Sequence, residues 1–248
     1  MRLFATSDLH ADYRENFSWL KELSGTAYRD DALIVAGDIS NRLEVVRETL
    51  LLLRAKFRHL LFTPGNHELW VRNDAFDSIE KLRLVLEICN ELDVTTRPLR
   101  LENLWVVPLF SWYDGVFHSE EEESAARHSW VDFHSCKWPE DTAPLPDYFL
   151  RMNEPHLTTY DAPVVTFSHF IPRADLFPSK EYLRFSWLES VSLCARLDSQ
   201  IRALKSHTHV CGHTHIMFDR VIDGVRYLQN AVRYPRERTP ANIPIKQI

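Results

Sequence analysis

Five short apolar runs in this chain each stop at a polar cluster, and that punctuation constrains the fold more than any other feature. RLFAT meets Ser7-Asp8-Leu9-His10, ALIVA meets Gly37-Asp38, and HLLFT meets Pro64-Gly65-Asn66-His67-Glu68. VVTF meets Ser168-His169, and HVC meets Gly212-His213-Thr214-His215. The runs are too short for helices and apolar throughout, as expected of strands covered on both faces. Helical periodicity separates them at Arg14–Leu23, Leu43–Phe57 and Ala75–Leu92. LWVVPLF adds another strand, a helix is expected around Leu188–Leu204, and FDRVIDGVRYLQNA predicts a hairpin turning at Asp223-Gly224. Strands alternating with helices predict an α/β fold. In open α/β sheets ligands gather beyond the carboxyl ends of the strands. Asp8, His10, Asp38, Asn66, His67, His169, His213 and His215 therefore converge on one rim.

Carboxylate, imidazole and amide donors without thiolate suit Mn, Fe, Zn or Mg, and there are more donors than one ion needs. HTHVCGHTH, residues 207–215, is not a self-contained site. It lacks a second tightly spaced Cys/His pair, so a zinc finger is excluded and only His213 and His215 look like ligands. His207 and His209 read as ordinary loop and strand residues, and Cys211 as a small core residue. His118, His128 and His134 show no ligand spacing.

These motifs resemble those of the calcineurin-like metallophosphoesterases. The family pattern D-x-H, G-D, G-N-H-E, H, G-H-x-H appears here as Asp8-x-His10, Gly37-Asp38, Gly65-Asn66-His67-Glu68, His169 and Gly212-His213-Thr214-His215. The resemblance implies a four-layer α/β/β/α sandwich of mixed sheets with a binuclear centre at one edge. It implies that Asp8, His10 and His215 hold one divalent ion, that Asn66, His169 and His213 hold the other, and that Asp38 bridges them. It makes His67 the catalytic group that protonates the leaving oxygen. The implied activity is phosphoester hydrolysis by in-line attack of a metal-bound hydroxide, as phosphatase or phosphodiesterase, on a small-molecule mono- or diester. A nuclease, a cyclic-nucleotide phosphodiesterase or a non-catalytic metal-binding scaffold of the same fold are the alternatives. The scaffold is disfavoured because all seven ligand positions and His67 are present.

The chain departs from the phosphoprotein-phosphatase branch, which reads G-D-x-V-D-R-G and R-G-N-H-E. Here Asn41 replaces the carboxylate that would pair with the catalytic histidine, and Pro64 replaces the phosphate-binding arginine. Protein phosphatase activity is therefore not expected. Asn41 and Arg42 remain candidate substrate-binding residues. Asn41 also fits a helix N-cap, with Glu44 closing a capping box. Glu68 is expected to orient its loop rather than bind metal. Where the family carries an N-P-G-S-like segment, this chain has Asn230-Ala231-Val232-Arg233.

The 248 residues show no composition break and are expected to form one domain, 1–248. Residues 111–163 read as an irregular insertion rich in aromatics, either a substrate lid or a satellite core. Within it Glu120–Glu123 reads as a solvated helix start. An extended tail is expected from Tyr234. A formal charge of -6 argues against a nonspecific hold on nucleic acid. Four scattered cysteines without a C-x-x-C pair point to a reducing compartment. The amino-terminal stretch lacks a signal-peptide pattern, and no apolar run is long enough to span a bilayer, so a cytoplasmic location is expected. Composition leaves the oligomeric state open.

Overall fold

The structure is a computed structural model and describes the chain except for residues 73, 184 and 239–244. Two sheets form its centre. The first has four strands: β1 (Leu3–Thr6), β2 (Ala32–Ala36) and β3 (His59–Thr63) run parallel, and β10 (Lys246–Gln247) pairs antiparallel with β1. The second follows the order β4 (Leu99–Leu101), β5 (Leu104–Pro108), β6 (Val164–Phe167), β7 (Ser206–Cys211), β9 (Val225–Gln229), β8 (Phe218–Ile222). Its four central strands are parallel, and β4 and β8 are antiparallel edges.

Side-chain alternation along the strands assigns the layers. On β2, Ala32, Ile34 and Ala36 face the second sheet, where Val106, Val165, Phe167, Val210 and Leu228 meet them. Leu33 and Val35 point the other way. They pack under α1 (Arg14–Glu22), α2 (Leu43–Arg54) and α3 (Ser78–Glu91) through Leu20, Val46, Leu50 and Val85. On the outer face of the second sheet, Val107, Val164, Cys211 and Tyr227 pack with Phe149, Leu197 and Ile201. Helix, sheet, sheet and helix thus form four layers, as the family resemblance implies. The two sheets touch at one end, where Ser7 bridges Ala231 in parallel register.

Three expectations change. The helix expected at Leu188–Leu204 is confined to α7 (Leu197–Ala203), preceded by a 3-10 turn at Glu189–Val191. The intervening backbone pairs instead with the chain after β6: Ile171 donates to the Ser192 carbonyl and Cys194 donates to the Ile171 carbonyl. Residues 111–163 are not irregular but carry α4 (Glu120–Ser129), α5 (Asp132–Ser135) and α6 (Leu145–Met152). Ser119 caps α4 by accepting from the Glu122 amide, so Glu120–Glu123 form its first turn. Trp112, Tyr113 and Phe149 from this region belong to the main core beside the second sheet. Finally, α2 is capped at Arg42, not Asn41, and no side chain bonds the cap. The buried Lys81 ammonium, 40 residues on, donates to the Asn41 carbonyl, and Ser40 Oγ accepts the Arg42 amide.

Candidate metal centre

The five parallel strands named by the sequence motifs end at the same edge. Chain leaving β1 carries Asp8 and His10, β2 Asp38, β3 Asn66 and His67, β6 His169, and β7 His213 and His215. Five of the seven candidate ligands hold left-handed backbone: Asp8 (φ 52°), His10 (41°), Asp38 (59°), His213 (74°) and His215 (59°). Such conformations each cost about 1–3 kcal/mol and persist only where the surroundings enforce them. Space is equally tight. A methyl on Gly65 would lie 2.2 Å from Asp38 Oδ1, and one on Gly37 2.3 Å from His169 Nδ1.

Donor atoms gather in two groups. His10 Nε2 and His215 Nε2 are 3.0 Å apart, with Asp8 Oδ1 3.5 Å from the latter. His169 Nε2, His213 Nδ1 and Asn66 Oδ1 form a triangle with sides of 3.0–3.1 Å. Asp38 lies between: its carboxylate falls within 4.8 Å of donor atoms of His10 and His67 on one side and of His169 and His213 on the other.

Hydrogen bonds at the back of several ligands fix their orientation, whereas His10 Nδ1 is buried without a partner. His169 Nδ1 lies 2.9 Å from the Ala36 carbonyl and His213 Nε2 lies 3.0 Å from the Val191 carbonyl, so each ring turns its other nitrogen to the centre. Asp8 accepts from the Ser7 hydroxyl and from the His213 amide. Glu68 behaves as expected. Its buried carboxylate accepts four backbone N–H groups, from Asp38, Ile39, Ser40 and Gly65, and so locks two of the ligand loops together.

Three supporting groups escaped sequence reasoning. Asp132, fully enclosed, accepts from Asn66 Nδ2 (2.8 Å), Trp70 Nε1 (2.6 Å) and Trp130 Nε1 (2.8 Å). The bond to the amide nitrogen leaves Asn66 Oδ1 facing the centre. Glu237 Oε2 lies 2.7 Å from His215 Nδ1, and the Tyr234 ring stacks on His10 at 4.2 Å. No sequence signal marked them, because each is a single residue in a stretch without period or motif.

The electrostatics suit a cation. Burial, then the neighbouring Glu68 and Asp8 charges, push the Asp38 carboxyl well above its ordinary range. Burial, and then neighbouring imidazoles, hold His10, His67 and His213 well below theirs, leaving neutral rings with lone pairs. His215 is the exception: burial opposes it, but hydrogen bonds to Asp8 and Glu237 raise it to about 9. Among the described residues no lysine or arginine pairs with Asp8 or Asp38. Two buried carboxylates without a basic side chain, facing neutral imidazoles, fit divalent metal.

The centre opens into a cavity lined by Asp38, His67, Trp70, Trp130, Val131, Leu188, Tyr234 and Glu237 among others. The other histidines lie outside it. His209 is buried on β7 between Thr166 and Ser168 hydroxyls, and His207, on the same strand, is exposed. Asn41 and Arg42, expected to touch substrate, do not line this cavity; the Arg42 side chain is half exposed and sits 3.5 Å from Glu44.

Residues 1–217 match the family model of the calcineurin-like phosphoesterases. The chain is 30% identical to the [acyl-carrier-protein] phosphodiesterase PptH of Mycobacterium tuberculosis, over 95% of this chain and 78% of that protein. It superposes on the crystal structure of the phosphopantetheinyl hydrolase PptH from the same organism with a TM-score of 0.84 at 27% identity, covering 100% of this chain and 95% of the other. A further solved structure, 12% identical with a TM-score of 0.52 over 93% of this chain, shares the fold alone. The chain belongs to the calcineurin-like phosphoesterases and is a metal-dependent hydrolase of phosphoesters.

Proposed function

We propose that this enzyme is a phosphodiesterase that removes a phosphopantetheinyl arm from an acyl carrier protein. The observation that carries the diester reading is the lining of the cavity. Among the described residues it holds no lysine or arginine, while Trp70, Trp130, Val131, Phe185 and Leu188 give it an apolar wall. A phosphomonoester brings close to two negative charges at neutral pH and a diester brings one. A wall without basic side chains favours the diester, and its apolar face suits an uncharged organic arm. The likeness to PptH supplies the substrate class.

In this reading Asp8, His10 and His215 would hold one divalent cation and Asn66, His169 and His213 a second, with the Asp38 carboxylate within reach of both groups. Cations held there would supply Lewis acidity, lowering the pKa of a water and offsetting phosphoryl charge. Water attacks phosphorus, the bond to the carrier's hydroxyl oxygen breaks, and the arm departs as a phosphomonoester. His67, neutral at rest, takes up the proton that the attacking water releases and hands it to the leaving oxygen. Its place is fixed by its own amide, which donates to Asp38 Oδ1 at 3.1 Å, and by the Trp70 ring against its face at 3.7 Å. Asn41 has no part in this step.

The test is mass spectrometry of holo acyl carrier protein after incubation with Mn2+-loaded enzyme, beside rates on an aryl phosphomonoester, an aryl diester and cyclic nucleotides. We expect conversion to the apo carrier and faster turnover of the aryl diester than of the monoester. An intact carrier together with a preferred monoester or cyclic nucleotide would sink the proposal.

A further inference from the structure

We propose that the segment Tyr234–Glu237 is an integral part of the metal centre, with Glu237 the positioning residue for His215. The family match ends at residue 217, so this segment lies outside it. The inference rests on the metal-holding half of the proposed function and is independent of the substrate.

The segment is built into the site from both ends. At its start the Val232 amide donates to the Ser7 carbonyl and the Arg233 amide to the Asp8 carbonyl, tying it to the loop that carries Asp8 and His10. Asn16, buried on α1, donates from Nδ2 to the carbonyls of Leu9 (2.7 Å) and Arg233 (2.9 Å). Its Oδ1 accepts from Arg238, so one amide clamps both the ligand loop and the two ends of the segment. A 3-10 turn at Pro235–Glu237 then turns the chain across the centre.

What the clamp delivers is specific to one group of donors. The Tyr234 ring covers His10, and its hydroxyl comes within 3.4 Å of His67 Nε2. Glu237 Oε2 takes the Nδ1–H of His215 at 2.7 Å. That bond fixes a proton on Nδ1 and turns Nε2 toward His10 Nε2 and Asp8, where a bound ion would replace the Nε2 proton. A carboxylate behind a ligating imidazole orients the ring and raises its donor strength, and losing such a partner typically weakens metal affinity 10–100-fold.

Calorimetric titration of metal-free protein with Mn2+ tests this without reference to turnover. Wild type should bind two ions. Glu237→Ala should bind one of them about 10–100-fold more weakly and the other unchanged. Glu237→Gln, whose amide oxygen still accepts from Nδ1, should recover part of the loss. His215→Ala and the double variant should bind alike, because the carboxylate acts through the ring. Melting of the metal-free variants controls for folding. Full-strength binding of both ions by Glu237→Ala would overturn the proposal, as would additive losses in the double variant. A wild type that takes up no divalent cation removes the metal reading and this inference together. One that binds metal but leaves carrier protein intact removes only the substrate reading.

Discussion

Replacing His67 should separate metal holding from turnover. The ring lies outside the two groups of donors 3.0–3.5 Å apart, although it comes within 4.8 Å of His10 and Asp38 donor atoms, and it borders the cavity. We expect His67→Asn to bind Mn2+ as wild type does while kcat on an alkyl phosphodiester falls ~10²–10⁴-fold, the usual scale for a lost general acid. An aryl diester, whose leaving group needs no proton, should suffer far less; equal rates of wild type and variant on the alkyl diester would refute the role. At this scale the sequence was legible wherever chemistry and a strand end coincide: Asp8, His10, Asp38, Asn66, His169, His213 and His215 all reach one edge. It was silent on Asp132 and Glu237. Nothing local distinguishes either from a solvated acid, and only the folded chain shows Asp132 enclosed by two indole N–H groups and an amide. Asn41 misled for the opposite reason. Its neighbours mimic a cap and a family motif, but a lysine 40 residues away claims its carbonyl.

Strand β7 shows how an element serves the centre without joining it. It delivers His213 and His215 beyond its end, while His209 midway along it lies buried between two hydroxyls. Burial pushes the His209 imidazole down from 6.5 to about 3. Because the folded pKa lies below the unfolded one, the unfolded chain takes up the proton first. The neutral ring's contribution is therefore complete above about pH 6.5 and lost as pH falls from there toward about 3. The slope is at most about 1.4 kcal/mol per pH unit. Urea unfolding of metal-free protein at pH 7, 6 and 5 should show His209→Gln with a shallower pH dependence than wild type; parallel curves would contradict this. Elements with sustained periodicity, such as β2, α2 and the β8–β9 hairpin, follow their sequence pattern closely. The stretch Glu189–Cys194 does not. Its apolar spacing suits a helix, yet its backbone groups find partners on the chain beside His169, and His213 takes the Val191 carbonyl. The three-residue β4 was too short for alternation to register.

For the whole molecule, the centre joins both sheets, so an ion bound there ties the two halves of the sandwich together. Metal that binds the folded and not the unfolded state stabilises by mass action, about 2.7 kcal/mol at a hundredfold excess over Kd. For a chain of this size that corresponds to a rise of about 5–10 °C in Tm. Differential scanning calorimetry with Mn2+ and then excess chelator should show the rise and its reversal; an unchanged Tm would argue against a cation shared between the sheets. The layer order itself came from the family resemblance, since alternation along β2 shows two buried faces but not what covers each. Among the described residues no helix is long and apolar enough to cross a membrane.

The pairing of His10 with His215 spans 205 positions of sequence. At ribosomal speeds of about 5–20 residues per second, that interval takes about 10–40 s to synthesise. Throughout it Asp8 and His10 hang on a nascent chain without the residues that complete their half of the centre. A donor group built from both ends of the sequence forms only once the strands that carry it have come together.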